Sequence, residues 1–131
     1  TTNGLSIDGF GSTLILGKQF TGTGTASSGL YMVSTAPPYS PSAPGILKGV
    51  SLIGNVNDIS LGNSNSYAFL VTSLAAAEFR VMNIASPNSP TSLGTFNLPG
   101  VLNGIAYSRE LDRAYAASVD NSSELTVLVS Q

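Results

Sequence analysis

The sequence predicts an all-β protein made of about three four-stranded antiparallel units, the last of them incomplete. Three observations predict this fold: a 46-residue repeat, short runs of alternating or β-branched apolar residues inside each repeat, and prolines that recur between the same two runs. A chain of 131 residues can bury a core and has the usual length of one domain. We therefore expect a single repeat domain over residues 1–131, with units at about 3–54, 55–100 and 101–131.

The repeat aligns the second and third units without a gap at an offset of 46 residues. The matched pairs are Gly54 and Gly100, Asn57 and Asn103, Ile59 and Ile105, Ala68 and Ala114, Phe69 and Tyr115, Glu78 and Glu124, Phe79 and Leu125, and Val81 and Val127. A fainter copy lies upstream, where residues 36–41 match residues 85–90 and residues 3–5 match residues 103–105. Matching apolar positions predict a shared core, and its expected buried members are Ile59, Phe69, Val81, Ile105, Tyr115 and Val127.

Each complete unit divides into four predicted strands. In the second unit these strands are Asn57–Leu61, Tyr67–Thr72, Phe79–Ile84 and Thr91–Leu98. The stretch Leu74–Ile84 also suits a helix, because alanine and glutamate favour helices. The aligned residues 121–129 read as a turn followed by a strand, so we interpret Ala75–Ala77 as a hairpin loop.

Prolines mark the connection between the third and fourth strands of a unit. They occur at Pro37, Pro38 and Pro41 in the first unit and at Pro87 and Pro90 in the second. Proline has no backbone N–H to donate and has a fixed φ, so it does not fit inside a central strand. These residues therefore predict stiff connections.

Repeating units of about 40–50 residues with four strands have the size of β-propeller blades. Ordinary propellers contain about 4 to 8 blades, whereas 131 residues hold fewer than three units of 46 residues. An unclosed arc exposes apolar sheet faces and strand edges, which invite pairing. We therefore expect an open arc or part of an oligomeric ring, completed by a second copy or by the remaining blades of a longer chain.

Three stretches of the second unit carry a family resemblance: Asn57-Asp58-Ile59, Tyr67–Thr72 and Glu78–Pro90. Together they resemble the LVIVD-type propeller repeat of bacterial cell-surface proteins, in which an apolar strand and an aspartate precede Ile-Ser-Asn-Pro and a second proline. Asn83 stands here where the family has its aspartate. The resemblance implies an extracellular or cell-envelope propeller, sometimes attached to pilin-like segments, and it implies no conserved enzymatic activity.

Composition excludes several classes of function. The chain contains no Cys and no His, which removes thiolate nucleophiles, Ser–His triads and the usual zinc ligands. Its five Lys and Arg residues are too few for the clustered cations that nucleic-acid binding needs. No apolar run approaches the ~18–20 residues that span a bilayer. Only 9% of residues are charged, and Ser, Thr, Asn and Gly supply the polarity, a composition that we associate with secreted β-proteins.

Few side chains remain as candidates for a site. Glu78 and Glu124 recur by repetition, so they are not expected to face each other as a glycosidase pair. The oxygen-rich residues 120–124 suit weak calcium binding, but they lack the spacing of a dedicated loop and are interpreted as a polar hairpin turn. Tyr39, in a proline-bounded loop, is the best candidate for contact with a ligand.

From these observations we expect a protein that is not an enzyme and holds no cofactor or metal. The expected function is that of an extracellular structural or adhesive module, which presents loops to proteins or glycans. The alternative is a glycan-binding lectin formed by oligomerised few-bladed chains.

Overall fold

The computed structural model of the chain describes residues 4–19, 28–36 and 45–129. These residues form eleven strands: β1 (Gly4–Phe10), β2 (Thr13–Lys18), β3 (Ser28–Ser34), β4 (Gly45–Ser51), β5 (Val56–Leu61), β6 (Tyr67–Thr72), β7 (Phe79–Asn83), β8 (Thr91–Phe96), β9 (Leu102–Ser108), β10 (Arg113–Ser118) and β11 (Leu125–Val129). One 3-10 turn, Asn63–Asn65, accompanies them. Within the described ranges, no helix has the length and apolar character that crossing a membrane requires.

The strands form three antiparallel sheets, each built from strands that are consecutive in the chain. Sheet 1 contains β1–β4, sheet 2 contains β5–β8, and sheet 3 contains β9–β11. The all-β prediction of about three units is thereby confirmed. Sheet 3 has three strands among the described residues, which agrees with the incomplete last unit that the sequence predicts.

The hairpin between β6 and β7 settles the choice between helix and loop. Thr72 N donates to the carbonyl of Glu78 at 2.7 Å, and Ala77 N donates to the carbonyl of Leu74 at 3.1 Å. Ala76 has a φ of 69°, which is incompatible with a right-handed helix. Residues 75–77 therefore form a turn, as the repeat predicts.

The proline prediction concerns two units. Pro87 and Pro90 lie in the connection between β7 and β8, as the sequence predicts. Pro37, Pro38 and Pro41 lie outside the described residues.

The first strand of every sheet carries a β-bulge, which leaves one residue without a cross-strand partner. The bulged residues are Leu5 in β1, Asn57 in β5 and Asn103 in β9. This equivalence corrects the alignment of the first unit, because it is Leu5, not residue 3, that corresponds to Asn103. The sequence alignment of the first unit was therefore wrong by two residues. Its loops differ in length from those of the other units, so the sequence alone does not determine the offset of its first strand.

The three sheets stack in chain order, with the first strands β1, β5 and β9 next to one another. The core between sheets 1 and 2 contains Ile15, Leu30, Met32, Leu52, Val56, Ile59, Leu61, Ala68, Leu70, Met82 and Ile84. The core between sheets 2 and 3 contains Val71, Phe79, Leu102, Ile105, Ala114 and Ala116. Sheet 2 is thus packed on both faces.

The predicted core is correct in part. Ile59 and Ile105 are buried, with exposures of 6% and 9%. Three further members are half-buried: Phe69, Val81 and Tyr115. The prediction is wrong for Val127, which is 47% exposed, because it lies on the face of sheet 3 that points away from sheet 2.

Candidate interaction surfaces

Two carboxylates link successive sheets at their first strands. Asp8 Oδ2 accepts a hydrogen bond from the backbone N–H of Leu61 at 3.1 Å, which joins sheet 1 to sheet 2. Asp58 Oδ2 accepts one from the backbone N–H of Ile105 at 2.9 Å, which joins sheet 2 to sheet 3. In each case Oδ1 accepts from the N–H of the next residue in its own strand, at 2.7 Å and 2.9 Å. We call these contacts the carboxylate links.

Sheet 3 has no carboxylate at either linking position. Counted from the bulge, Asp58 is the first residue and Asp8 is the third. The corresponding residues of β9 are Gly104 and Ala106. The sequence analysis did not predict that Asp8 and Asp58 link successive sheets, although both lie near the start of a unit. The positions of the two residues can be compared only by counting from the β-bulge of each first strand, and the sequence does not show these bulges.

Glu78 has a local structural role and does not face Glu124. Glu78 is buried, with 8% of the residue exposed. Oε1 accepts from Ala76 N at 3.0 Å, and Oε2 accepts from Leu98 N at 3.3 Å. Glu78 therefore closes the β6–β7 hairpin and holds the segment that follows β8. Glu124, at the equivalent position of sheet 3, is exposed.

The turn between β10 and β11 is closed by its own aspartate. Asp120 Oδ1 accepts from the backbone N–H of Ser122 at 2.7 Å and from its hydroxyl at 2.5 Å. The hydroxyl contact is the largest of the interactions that hold the pKa of Asp120 below its usual range. In the parts of the chain that the structure describes, no group of three or more acidic side chains is placed to hold a metal ion. Tyr39, the predicted ligand contact, lies outside the described residues.

An aromatic crevice of about 280 Å³ opens between sheets 2 and 3. Phe69 is central to it, with its ring 6.0 Å from that of Phe79 and 5.2 Å from that of Tyr107. Phe96, on the outer strand β8, is 5.9 Å from Phe79 and is 49% exposed. At the rim the Tyr107 hydroxyl donates to Asp112 Oδ1, and this bond is the main cause that raises the pKa of Tyr107.

Both ends of the stack present apolar sheet faces. The first end face belongs to sheet 1 and consists of Ile7, Leu16, Tyr31, Val33 and Ile46, which neighbour one another across the strands. The second end face belongs to sheet 3 and consists of Tyr115, Leu125, Val127 and Val129. Ile7 and Ile46 are 63% and 60% exposed. Leu125 and Val129 are 62% and 56% exposed, so these faces are available to a partner.

The comparison with solved structures agrees with this architecture. No family model matches the chain, and no curated protein matches it either. Among solved structures, it is similar to the β-propeller domain of Myceliophteria thermophila Cps50 (Swd1), with a TM-score of 0.63 and 8% identity. The match covers 92% of this chain and 38% of that one. The three sheets are therefore blades of a β-propeller fold, arranged as an open arc.

Proposed function

We propose that the chain is a non-enzymatic structural or adhesive propeller module of a bacterial cell-surface or pilus-associated protein, and that further blades complete it. The observation that carries the proposal is the pair of apolar end faces. In repeat proteins, a terminal unit that ends the stack needs a polar outer face to remain soluble. The second end face instead exposes the apolar side chains of Leu125, Val127 and Val129.

The packing inside the arc supports another blade as the cover. Phe79 and Leu125 occupy equivalent positions, and Phe79 is only 3% exposed because sheet 3 packs on it, whereas Leu125 is 62% exposed. Burial of apolar area stabilises by about 25 cal/mol per Å². A blade against the second end face would give Leu125 the environment that Phe79 already has.

A second copy of the chain is the simplest source of that blade. In a two-fold ring, the first end face of each copy would pack on the second end face of the other. Two arcs of three blades would give six, within the range of about 4 to 8 that ordinary propellers use. The remaining blades of a longer polypeptide would cover the same two faces.

The described carboxylates support a role without catalysis. Asp8, Asp58, Glu78, Asp112 and Asp120, five of the seven acidic residues, accept hydrogen bonds that hold strands and turns. A surface with 9% charged residues, rich in hydroxyl and amide groups, supports an extracellular location. Loops of such a module would make the contacts with proteins or surface glycans.

Light scattering tests the two-copy ring. We expect a native mass of twice 13.4 kDa at micromolar concentration, and a return to the monomer mass in Val127→Asp, which places a charge on the second end face. Asn121→Asp, in the exposed β10–β11 turn, is the matched control and should keep the dimer. A monomeric native chain would contradict the ring and leave a longer polypeptide as the source of blades. Saturable binding on a glycan array would instead favour the lectin alternative.

A further inference from the structure

The aromatic crevice between sheets 2 and 3 is lined by a row of four rings. In order along the row, they belong to Tyr107 on β9, Phe69 on β6, Phe79 on β7 and Phe96 on β8. Neighbouring ring centroids in this row are 5.2, 6.0 and 5.9 Å apart. A ring attracts a cation that lies within about 6 Å of its centroid, because the π-face carries partial negative charge. The spacing of the row therefore brings more than one ring within reach of a single cationic group.

One carboxylate accompanies these rings. Among the described residues that line the crevice, Asp112, in the turn between β9 and β10, is the one that carries a charge. Its Oδ1 accepts the hydrogen bond from the Tyr107 hydroxyl, which holds the carboxylate beside the rings. Arg109, the cation of the same turn, does not line the crevice and donates from Nη2 to Asn65 Oδ1 at 2.7 Å. The crevice thus combines aromatic rings with a negative charge, and a cation is the complementary ligand.

The lining also indicates the chemistry of that cation. Apart from the Tyr107 hydroxyl and the Asp112 carboxylate, the described side chains that line the crevice are hydrocarbon. A primary ammonium has three N–H donors, which would lose water here without gaining acceptors. A trimethylammonium group has no N–H, presents methyl groups to hydrocarbon walls and keeps its positive charge. The volume of about 280 Å³ is just below the ~300–1,000 Å³ of pockets for drug-sized ligands, which suits a small molecule.

The rings and the charge are supplied by strands and a turn that are complete in the described chain. They come from β6 to β9 and from the β9–β10 turn, while β11 adds apolar side chains to one wall. The matching positions between sheets 1 and 2 are aliphatic: Phe69 and Phe79 correspond to Ile15 and Leu30, which are fully buried. The row of rings is therefore particular to the junction of sheets 2 and 3.

We propose that the aromatic crevice binds a small organic cation bearing a trimethylammonium group, with the row of rings around its methyl groups and the Asp112 carboxylate as its counter-charge. Recognition of quaternary ammonium ligands by clustered aromatic rings is an established use of the cation–π interaction. This ligand site goes beyond the structural or adhesive role proposed above. It lies within one chain and requires neither a second copy nor a further blade.

Choline and dimethylbutanol form the probe pair, because a carbon atom replaces the nitrogen in dimethylbutanol and only choline carries the charge. Ligand-detected NMR on the native chain measures both affinities at about 0.15 M salt, where distant surface charges are screened. We expect saturable binding of choline that is about tenfold or more tighter than binding of dimethylbutanol. Equal affinity for the two probes, or no binding of choline, would overturn the proposal.

Two charge variants in one turn locate the site. Asp112→Asn removes the charge and suits the backbone, because Asp112 has a φ of 48° and asparagine tolerates the left-handed region. Glu110→Gln removes an equal charge from an exposed residue that does not line the crevice, and is the matched control. We expect Asp112→Asn to weaken choline binding by about threefold or more, and Glu110→Gln to leave it unchanged. Equal effects of the two variants would exclude Asp112 as the counter-charge.

Phe96→Leu tests the contribution of the rings. Phe96 is 49% exposed, so leucine should preserve the fold, which circular dichroism and thermal melting check. The variant should weaken binding of choline more than binding of dimethylbutanol, because leucine is apolar but has no π-face. Equal weakening for both probes would contradict recognition of the charge by the rings.

A peptide bearing trimethyllysine is the third probe, since a partner protein could carry the same group. Tighter binding of this peptide than of choline would overturn the assignment to a free small molecule. None of these readouts uses the native mass of the chain or its binding to glycans. Failure of the ligand site therefore leaves the proposed module to be judged separately.

Discussion

Sheets 2 and 3 come from the same 46-residue repeat but differ in their surroundings. Sheet 2 is packed on both faces, whereas sheet 3 is packed on the face toward sheet 2 and presents the second end face on the other side. The matched residues show the contrast: Glu78 is 8% exposed and bonded to two backbone groups, while Glu124 is exposed. The repeated sequence thus determines where strands and turns form. The neighbouring sheet determines how far each side chain is buried and how much it contributes to stability.

The largest difference between the two sheets should appear in their apolar side chains. Leu70, in sheet 2, is fully buried, so Leu70→Ala should lower the free energy of unfolding by about 2–5 kcal/mol. Val127→Ala, on the second end face, should change it by less than about 0.5 kcal/mol in the monomer. Urea unfolding of the two variants measures both values. A cost at Val127 as large as that at Leu70 would mean that the end face is already covered.

A smaller difference in the free energy of unfolding is expected between substitutions at the matched residues Glu78 and Glu124. Glu78→Ala leaves the N–H groups of Ala76 and Leu98 without their acceptor, and should lower the free energy of unfolding by about 1–3 kcal/mol. Glu124→Ala should be close to neutral because the side chain is exposed. Equal effects in chemical denaturation would contradict the structural role given to Glu78.

The carboxylate links give a third comparison. Asp58→Ala removes the bond to Ile105 N and should cost about 1 kcal/mol in unfolding free energy. Ala106→Asp places a carboxylate at the sheet 3 position that matches Asp8, where the isolated chain has no following sheet in its described part. We expect no gain in thermal stability from Ala106→Asp in the monomer. A clear rise in melting temperature there would show that the carboxylate acts within its own strand and does not link sheets.

The smallest effects are expected from pH. The bond to Asp112 raises the pKa of Tyr107, so its contribution is fully present below the ordinary tyrosine pKa of about 10 and is lost as pH rises through the folded value. The pKa of Asp120 is lowered, so its contribution is present above about pH 4 and is lost in more acidic solution. Between about pH 5 and 9 the melting temperature should be nearly constant, because the chain has no histidine.

Tyr107→Phe tests the expected loss of thermal stability at alkaline pH. It keeps the ring that contacts Phe69 but has no hydroxyl to ionise. Its melting temperature should therefore fall less steeply above about pH 10 than that of the native chain. If the melting temperatures of both proteins fell equally steeply with pH, ionisation of Tyr107 would not be the cause of the alkaline loss of stability.

Much of the fold could be predicted because local patterns repeat. The four strands of the second unit, the turn at residues 75–77 and the incomplete third unit all follow from one alignment and from strand periodicity. The bulges at Leu5, Asn57 and Asn103 could not be predicted, because they depend on how each first strand meets its neighbour.

The interaction surfaces were less accessible to sequence reasoning. Val127 carries the same alternating pattern as Val81, and nothing in that pattern shows that a following sheet is missing on one side. The roles of Asp8 and Asp58 depend on backbone N–H groups of the next sheet, about 50 residues away in the chain. Tyr39 was proposed from its loop context alone and lies outside the described residues.

The construction of each sheet from consecutive strands also bears on the order of folding. Proteins dominated by short-range pairing fold faster than those that join distant segments, and stacked repeats can nucleate in one place and grow from there. Sheets 1 and 2 share the larger buried cluster and provide that starting place. Sheet 3 is packed on one face only, and within the described residues β11 pairs with β10 alone, so we expect its amide protons to exchange with solvent most readily. We therefore expect the molecule to open first at β11 and then inward toward sheet 2.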